Sequence, residues 1–371
     1  MATERSLAAF ALKGIVDFRI DPEQRARFKR CRRQWDFASP HRRGLEPVDS
    51  GGPALPTALK DALAVYYYPG TWDWQHDLKQ SLVHKAVERS LTDAGAADLV
   101  EIATALLDCY DAWAGTIDDF APVKIEHDVA GMIAQPGEPD RGLLAPNGSG
   151  VVYGCRVDLL AVDAADEYWV VRHQIVNDWQ DPDALLRDEE AIASCWVWEQ
   201  DYMGMQIVGT IHNEVRVDGP LDGPAPPPAR IREPVAQHEG SGGGRSIPQH
   251  QRESARASRV GAKSRFDQQT AGLLRRTHIR RIRSEIAAVG TQLAAEALDM
   301  IREPAIYPNP AAHCSACEFA APCLALFAGA DPEPQLATRF RLRPVSAQPK
   351  PRLGQATWGF GRGAAPPRWQ Q

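Results

Sequence analysis

Cys314-Ser-Ala-Cys317-Glu-Phe-Ala-Ala-Pro-Cys323, entered through Tyr307-Pro308-Asn309-Pro310 and followed by Leu324-Ala-Leu-Phe327, is the stretch on which the fold turns. Three cysteines at C-x2-C-x5-C spacing suit one soft metal centre, but zinc and iron–sulfur sites normally take four protein ligands. The best candidate for the fourth lies far upstream, at Cys31 in Phe28-Lys-Arg-Cys31-Arg-Arg-Gln-Trp35-Asp-Phe37. A metal held by both segments would tie the two ends of the chain together. Spacing alone does not separate one thiolate-loving metal from another. Disulfides are disfavoured, because seven cysteines is an odd number and 371 residues far exceeds the small scaffolds that depend on bridges. Cys109, Cys155 and Cys195 stand singly in apolar patterns and read as core thiols.

With 44% hydrophobic residues the chain can bury a large core, although Pro- and Gly-rich segments remove part of it from the folded count. No apolar run is long enough to span a bilayer, and Met-Ala-Thr-Glu-Arg opens without the basic flank, apolar region and cleavage site of a secretory leader. The expectation is a cytoplasmic protein with no membrane partner. A net charge of −6 does not point to nucleic acid, but local basic patches matter more than the total. One such patch surrounds Cys31, where Arg25, Arg27, Lys29, Arg30, Arg32, Arg33, Arg42 and Arg43 alternate with Phe28, Trp35 and Phe37. That composition suits phosphate contact combined with stacking; it equally suits a solvated helical face whose aromatics turn inward. Walker, Ser-His-Asp and dinucleotide-binding patterns are absent from the sequence.

Thr57 to Tyr67 has helical periodicity and ends before Pro69-Gly70. Tyr68, Trp72 and Trp74 read as packing residues, and Leu78 to Trp113 as one or two further helices. The period changes at Pro122. Val123–Val129, Val151–Leu160 and Glu167–Val176 read as three consecutive strands, Leu185–Trp198 as a helix and Met205–Val215 as another strand. Residues 218–265, with Pro224-Ala-Pro-Pro-Pro228 and Gly240-Ser-Gly-Gly-Gly244, read as a flexible insertion. A long helix is expected from Leu274-Arg275-Arg276-Thr-His-Ile-Arg280-Arg281-Ile-Arg283 through Met300, its arginines facing a nucleic-acid groove or a solvated surface.

Cys31 in its basic, aromatic setting, the C-x2-C-x5-C run, and Gly154-Cys-Arg-Val157-Asp158 together resemble the iron–sulfur-containing RecB-type nucleases of the PD-(D/E)XK superfamily, from about Arg25 to about Pro344. The resemblance implies an α/β (α+β) fold, a restriction-endonuclease-like central mixed sheet flanked by helices. It implies a 4Fe-4S cluster on Cys31, Cys314, Cys317 and Cys323, with zinc on the same four thiolates as the alternative. It implies DNA as partner, with RNA left open, and a helicase or another repair or defence protein as a further partner. The expected organisation is an extension over 1–24, one nuclease-like domain from 25–217 and 266–335, the insertion at 218–265, and a low-complexity tail over 336–371.

Such nucleases hold Mg2+ or Mn2+ on carboxylates and orient the nucleophile with a lysine. The resemblance puts Asp158 at the metal-binding aspartate, in a segment one residue longer than G-x-[IV]-D. Lys60 stands where a ligating histidine is usual, and Arg172 and Gln174 stand at the ends of [DE]-x-K. Glu190 and Ser194 occupy the Q-x3-Y positions. A guanidinium beside the metal position repels a divalent cation. The expectation is therefore a retained scaffold with cleavage lost, Asp158 pairing with Arg172 and Gln174 alongside. The alternative is an active Mg- or Mn-dependent DNA exonuclease or endonuclease whose site is rebuilt from Glu126, Asp158 and a displaced residue. Arg30, Arg32, Arg33, Arg275, Arg276, Arg280, Arg281 and Arg283 are expected to form one positive face.

Overall fold

The computed structural model describes residues 17–48, 52–218, 229–233, 265–302 and 305–343. Strand β1 (Phe18–Ile20) leads into helix α1 (Pro22–Arg30), started by the Asp21 side chain accepting from Gln24 N at 2.7 Å and by Pro22 in its first turn. Cys31 is extended, with φ of −159°, and separates α1 from α2 (Arg32–Ala38). After β2 (Leu45–Pro47) come three helices, α3 (Ala54–Tyr66), α4 (His76–Asp93) and α5 (Val100–Ile117). In α3 the buried Ala58, Leu59, Ala62, Leu63 and Tyr66 recur at helical spacing, so one face of the helix enters the core.

The remaining elements build the sheet and close the chain. They are β3 (Phe120–Met132), the small hairpin β4 (Ala134–Gln135) and β5 (Glu138–Gly142), β6 (Val151–Asp163), β7 (Tyr168–Val176), α6 (Pro182–Leu186), α7 (Glu189–Asp201), β8 (Ile207–Arg216), β9 (Ala229–Glu233), β10 (Phe266–Ala271), β11 (Leu274–Arg280), α8 (Arg283–Ile301), α9 (Ala320–Phe327), α10 (Glu333–Arg339) and β12 (Phe340–Leu342). The central sheet is mixed: β3, β6 and β7 run antiparallel, β8 is parallel to β7, and β11, β10 and β9 extend it antiparallel. The edge of β6 away from β3 is shared. β1 pairs along Val151–Tyr153 and β7 along Leu159–Val162. Helices α3, α4 and α5 cover one face of the sheet with an apolar core; α7 and α8 cover the other. The chain is thus a mixed α/β protein whose central sheet is flanked by helices. A Cβ at Gly209 on β8 would stand 2.3 Å from Ile279 O and 2.5 Å from the Trp169 ring, so only glycine allows the strands this approach.

The first and last described segments meet. β12 pairs with β2, and the stacked rings of Phe37, Phe319 and Phe340, with centroids 5.2 and 4.7 Å apart, form a small core with Leu336. Residues 17–24 and 336–343, expected outside the compact part, therefore belong to it, because β1 joins the central sheet and β12 closes on β2.

Leu274–Arg280 is a strand, not the start of a helix, and the following helix begins at Arg283. Gly272, at φ +56°, turns β10 back along β11, and alternate residues of β11 then serve opposite faces of the sheet. Ala229–Glu233, within the segment expected to carry no regular structure, pairs with β10 as an edge strand. The rest of that insertion, the start of the N-terminal extension and the end of the tail lie outside the described residues. Trp72 packs against the core, whereas Trp74 is exposed, and Cys109 is half-buried while Cys155 and Cys195 are buried. No helix among the described residues is long and apolar enough to cross a membrane.

Candidate functional site

Regular strands send residues two apart to the same face. Val157 and Leu159 instead pack into opposite cores, so alternation breaks at Asp158. The partner strand breaks at the same level. Ile125 pairs with Leu159 and His127 with Val157, while Glu126 between them has φ +44°. A bulky residue in that region carries strain of about 1–3 kcal/mol.

The Asp158 carboxylate lies under α3. Its Oδ2 accepts the His173 backbone N–H at 2.9 Å, and Lys60 Nζ stands at 3.9 Å. Burial opposes ionisation of Asp158, but Lys60, His173 and the backbone donor outweigh it and hold its pKa below the usual carboxylate value. His173 is buried against the Tyr67 ring, and burial pushes its pKa down to about 4 despite the attraction of Asp158. Its Nδ1 receives the Asn213 amide at 2.9 Å, so the neutral ring carries its proton on Nε2.

From His173 a buried polar chain crosses the sheet. Asn213 donates to Tyr110 Oη at 2.7 Å, and Tyr110 and Tyr67 share a hydrogen bond at 2.7 Å. Arg276 Nη2 donates to both phenols at 3.0 and 3.2 Å, while Nη1 pairs with Asp118. Burial raises the pKa of Tyr67 well above the usual phenol and that of Tyr110 to about 12, so both remain protonated donors. Tyr67, Tyr110, Asp118 and Asn213 were not singled out from sequence. The signal was there in β8, where His212-Asn213-Glu214 places three polar residues between Ile211 and Val215 of a core strand.

Arg172 and Gln174 face the opposite side. Arg172 pairs with Asp188 Oδ2 at 2.7 Å and Glu190 Oε1 at 2.9 Å. The Asp188 carboxylate also caps α7, accepting from Glu190 N and Ala191 N. Gln174 Oε1 accepts from His212 Nδ1 at 3.3 Å. Burial pushes His212 down to about 3; Asp188 opposes this, while Arg172, Arg281 and Arg275 reinforce it. The expected Asp158–Arg172 ion pair is therefore not formed. On β7 the residues that share the α3 face with Asp158 are Trp169, Val171, His173 and Ile175. Glu126 is buried near Arg156, at 3.7 Å, and Arg156 also holds Asp128 at 3.1 and 2.7 Å. Ser194 bonds back to the Glu190 carbonyl at 2.9 Å and accepts from the Cys155 thiol at 3.7 Å.

Where the first and last described segments meet, Cys31, Cys314, Cys317 and Cys323 all line one cavity of ≈ 280 Å³, walled by Phe37, Phe319 and Phe327 among others. Three of the sulfurs receive N–H donors: Cys31 from Asn309 N at 3.5 Å, Cys317 from Phe319 N, and Cys323 from Arg33 Nη1 at 3.7 Å. His313 also lines the cavity, and its Nε2 is buried without a hydrogen-bond partner. Soft sulfur donors, N–H groups aimed at them and apolar walls fit a thiolate-bound metal centre. Among the described residues, no three His, Cys, Asp or Glu side chains are already drawn to metal-binding geometry.

The expected positive face is not assembled. Arg275 pairs with Glu214 at 2.6 Å, Arg276 with Asp118, Arg280 with Glu167 and Arg283 with Glu199 at 2.6 Å; Arg281 donates to the Leu185 and Leu186 carbonyls. The change from helix to strand explains this, since successive arginines of β11 are driven into both buried faces, where each needs a counter-charge or acceptor. In the N-terminal patch Arg32 stands 3.5 Å from Asp299 and 3.4 Å from the centre of the Phe28 ring, Arg33 turns to Cys323, and Arg30 is exposed.

No family model matches the chain, and no curated protein matches it. Among solved structures it is similar to one described as "Crystal structure of SSO0001", at 9% identity over 72% of this chain and 92% of that chain, with a TM-score of 0.29. That likeness is too slight to carry a fold or a function.

Proposed function

We propose that the chain is a RecB-type nuclease-fold protein, stapled by a 4Fe-4S cluster or zinc on Cys31, Cys314, Cys317 and Cys323, that has given up metal-dependent cleavage and serves to bind. The observation that carries this reading is the surrounding of Asp158. Its charged neighbour is Lys60 at 3.9 Å, and the histidine beside it is neutral. The residues of β7 on its face, Trp169, Val171, His173 and Ile175, supply neither a second carboxylate nor a lysine. Mg2+ and Mn2+ select clustered oxygen donors, and an ammonium group in their place opposes them. The element order supports the scaffold: helices, three antiparallel strands with Asp158 on the middle one, a helix, and a strand parallel to the third. Nucleic acid, DNA before RNA, is the proposed partner, with contact assigned to the exposed Arg30 rather than to the internally paired arginines of β11.

A second reading has one observation in its favour. Glu126 is strained at φ +44° directly opposite Asp158, and strained residues gather at working sites. It would make the pair Glu126 and Asp158 the core of a divergent Mg2+ or Mn2+ nuclease. Incubating labelled single- and double-stranded DNA with anaerobically purified protein and either metal decides between them. Binding without cleavage is expected; cleavage abolished by Asp158→Ala would overturn the first reading in favour of the second.

A further inference from the structure

We infer that Arg33 is the positioning residue of the four-cysteine centre, its guanidinium holding Cys323 and offsetting the negative charge that four thiolates gather in the cavity. The inference rests on the thiolate-centre reading above and deepens it. Arg33 Nη1 donates to Cys323 Sγ at 3.7 Å, and the side chain lines the same cavity as all four cysteines. Its backbone is tethered too, since Arg33 N donates to Tyr307 O at 3.2 Å, just ahead of the Cys314 segment.

Apart from the exposed Arg30, the neighbouring arginines are engaged with carboxylates: Arg25 with Glu189 and Glu296, Arg27 with Glu23 and Glu318, Arg32 with Asp299, Arg42 with Asp36 and Arg43 with Glu333. Arg33 differs. Among the described residues no carboxylate lies within ion-pair distance of it, and its hydrogen bond goes to sulfur. Four thiolates on a zinc ion or on an oxidised 4Fe-4S core leave a net charge of about −2. The other two N–H donors to the sulfurs are backbone amides, so Arg33 is the donor that also brings a full positive charge. Outer-shell donors fix the direction in which a ligand presents its lone pair.

The test uses the full-length protein purified without oxygen, with bound iron and zinc measured and the chelator concentration for half-removal compared across variants. Removing an outer-shell partner lowers metal affinity by about 10–100-fold, and that loss is expected for Arg33→Gln. Arg33→Lys should fall between Gln and the natural residue, keeping charge but losing the planar donor. Arg89→Gln, on the exposed side of α4, should retain metal as the unchanged protein does. Retention by Arg33→Gln equal to that of the unchanged protein overturns the inference while leaving the thiolate centre standing. If Arg33→Gln does not fold, unchanged affinity in Arg33→Lys overturns it instead. Unsubstituted protein that carries no metal and takes up no cobalt removes both the centre and the inference.

Discussion

His173 and His212 are buried as neutral rings on opposite faces of the sheet, with pKa values pushed down to about 4 and about 3 from 6.5. Between those values and 6.5 the unfolded chain binds protons that the folded chain refuses, so stability rises with pH across that window. The contribution is complete above pH 6.5 and is lost as acid drives the unfolded rings to protonate. Urea midpoints should therefore fall from pH 7 to pH 5, before the lowered carboxylates Asp158 and Asp188, with ordinary values of 3.8, begin to protonate. The double change His173→Gln with His212→Gln should flatten that slope even if it lowers stability throughout. A slope unchanged by the double substitution would show that other groups set the acid response. Arg276 is the other residue whose environment forces a number. It is fully buried and binds Asp118, Tyr67 and Tyr110, so Arg276→Met should cost about 3–5 kcal/mol by leaving the largely buried Asp118 carboxylate without its cation. Arg30→Ala, at an exposed position, should stay within about 0.5 kcal/mol, and denaturant titration of the two variants checks the contrast.

Element by element, what could be read from the sequence depended on whether period and burial agreed. Helices α3, α4 and α5 and strands β3, β6, β7 and β8 announce themselves through apolar periodicity and fall near their expected places. Strand β11 does not, because Leu274-Arg-Arg-Thr-His-Ile-Arg280 presents arginines at positions that turn out to be core, and a cationic run ahead of an apolar helix reads as that helix's first turns. Its arginines are matched by Glu214 and Asp118, which are distant from them in sequence. The face assigned to Arg172 was beyond the sequence for a related reason. Alternation correctly separates Arg172 and Gln174 from His173, but the break at Asp158 decides which of the two sets meets it, and that break comes from paired irregularities on β3 and β6. The prediction at this scale follows from Asp188, which both caps α7 and binds Arg172. Asp188→Ala removes a helix cap and leaves the half-buried Arg172 guanidinium to Glu190, so it should destabilise by more than the ~1 kcal/mol of a cap alone, measurable by urea unfolding.

At the scale of the whole molecule, the first and last described segments meet at two places, the β2–β12 pair with its phenylalanine stack and the cavity lined by four cysteines. If the cavity carries the proposed centre, thiolate ligation adds to folding, and Cys317→Ser should lower the melting temperature of metal-loaded protein but scarcely that of chelator-treated protein. Equal effects in both states would make Cys317 a packing residue. The proposed loss of cleavage has a sharper test, because the geometry of β7 dictates which residues would have to change. Arg172→Asp with Gln174→Lys alters the face turned toward α7, where it would set a new carboxylate against Asp188 and Glu190 and build nothing near Asp158. His173→Asp with Ile175→Lys alters the face under α3, where Asp158 and residue 60 already stand. Lys60→His then removes the competing ammonium and adds a neutral nitrogen donor. The triple variant is expected to gain Mn2+-dependent cleavage of single-stranded DNA, with the α7-face double variant inactive and less stable. Since a buried aspartate without metal is costly, the triple variant should also be stabilised by added Mn2+ in thermal unfolding, which reads metal capture separately from turnover. No Mn2+ stabilisation in a folded triple variant would mean that the sheet around Asp158 is not the remnant of a metal site.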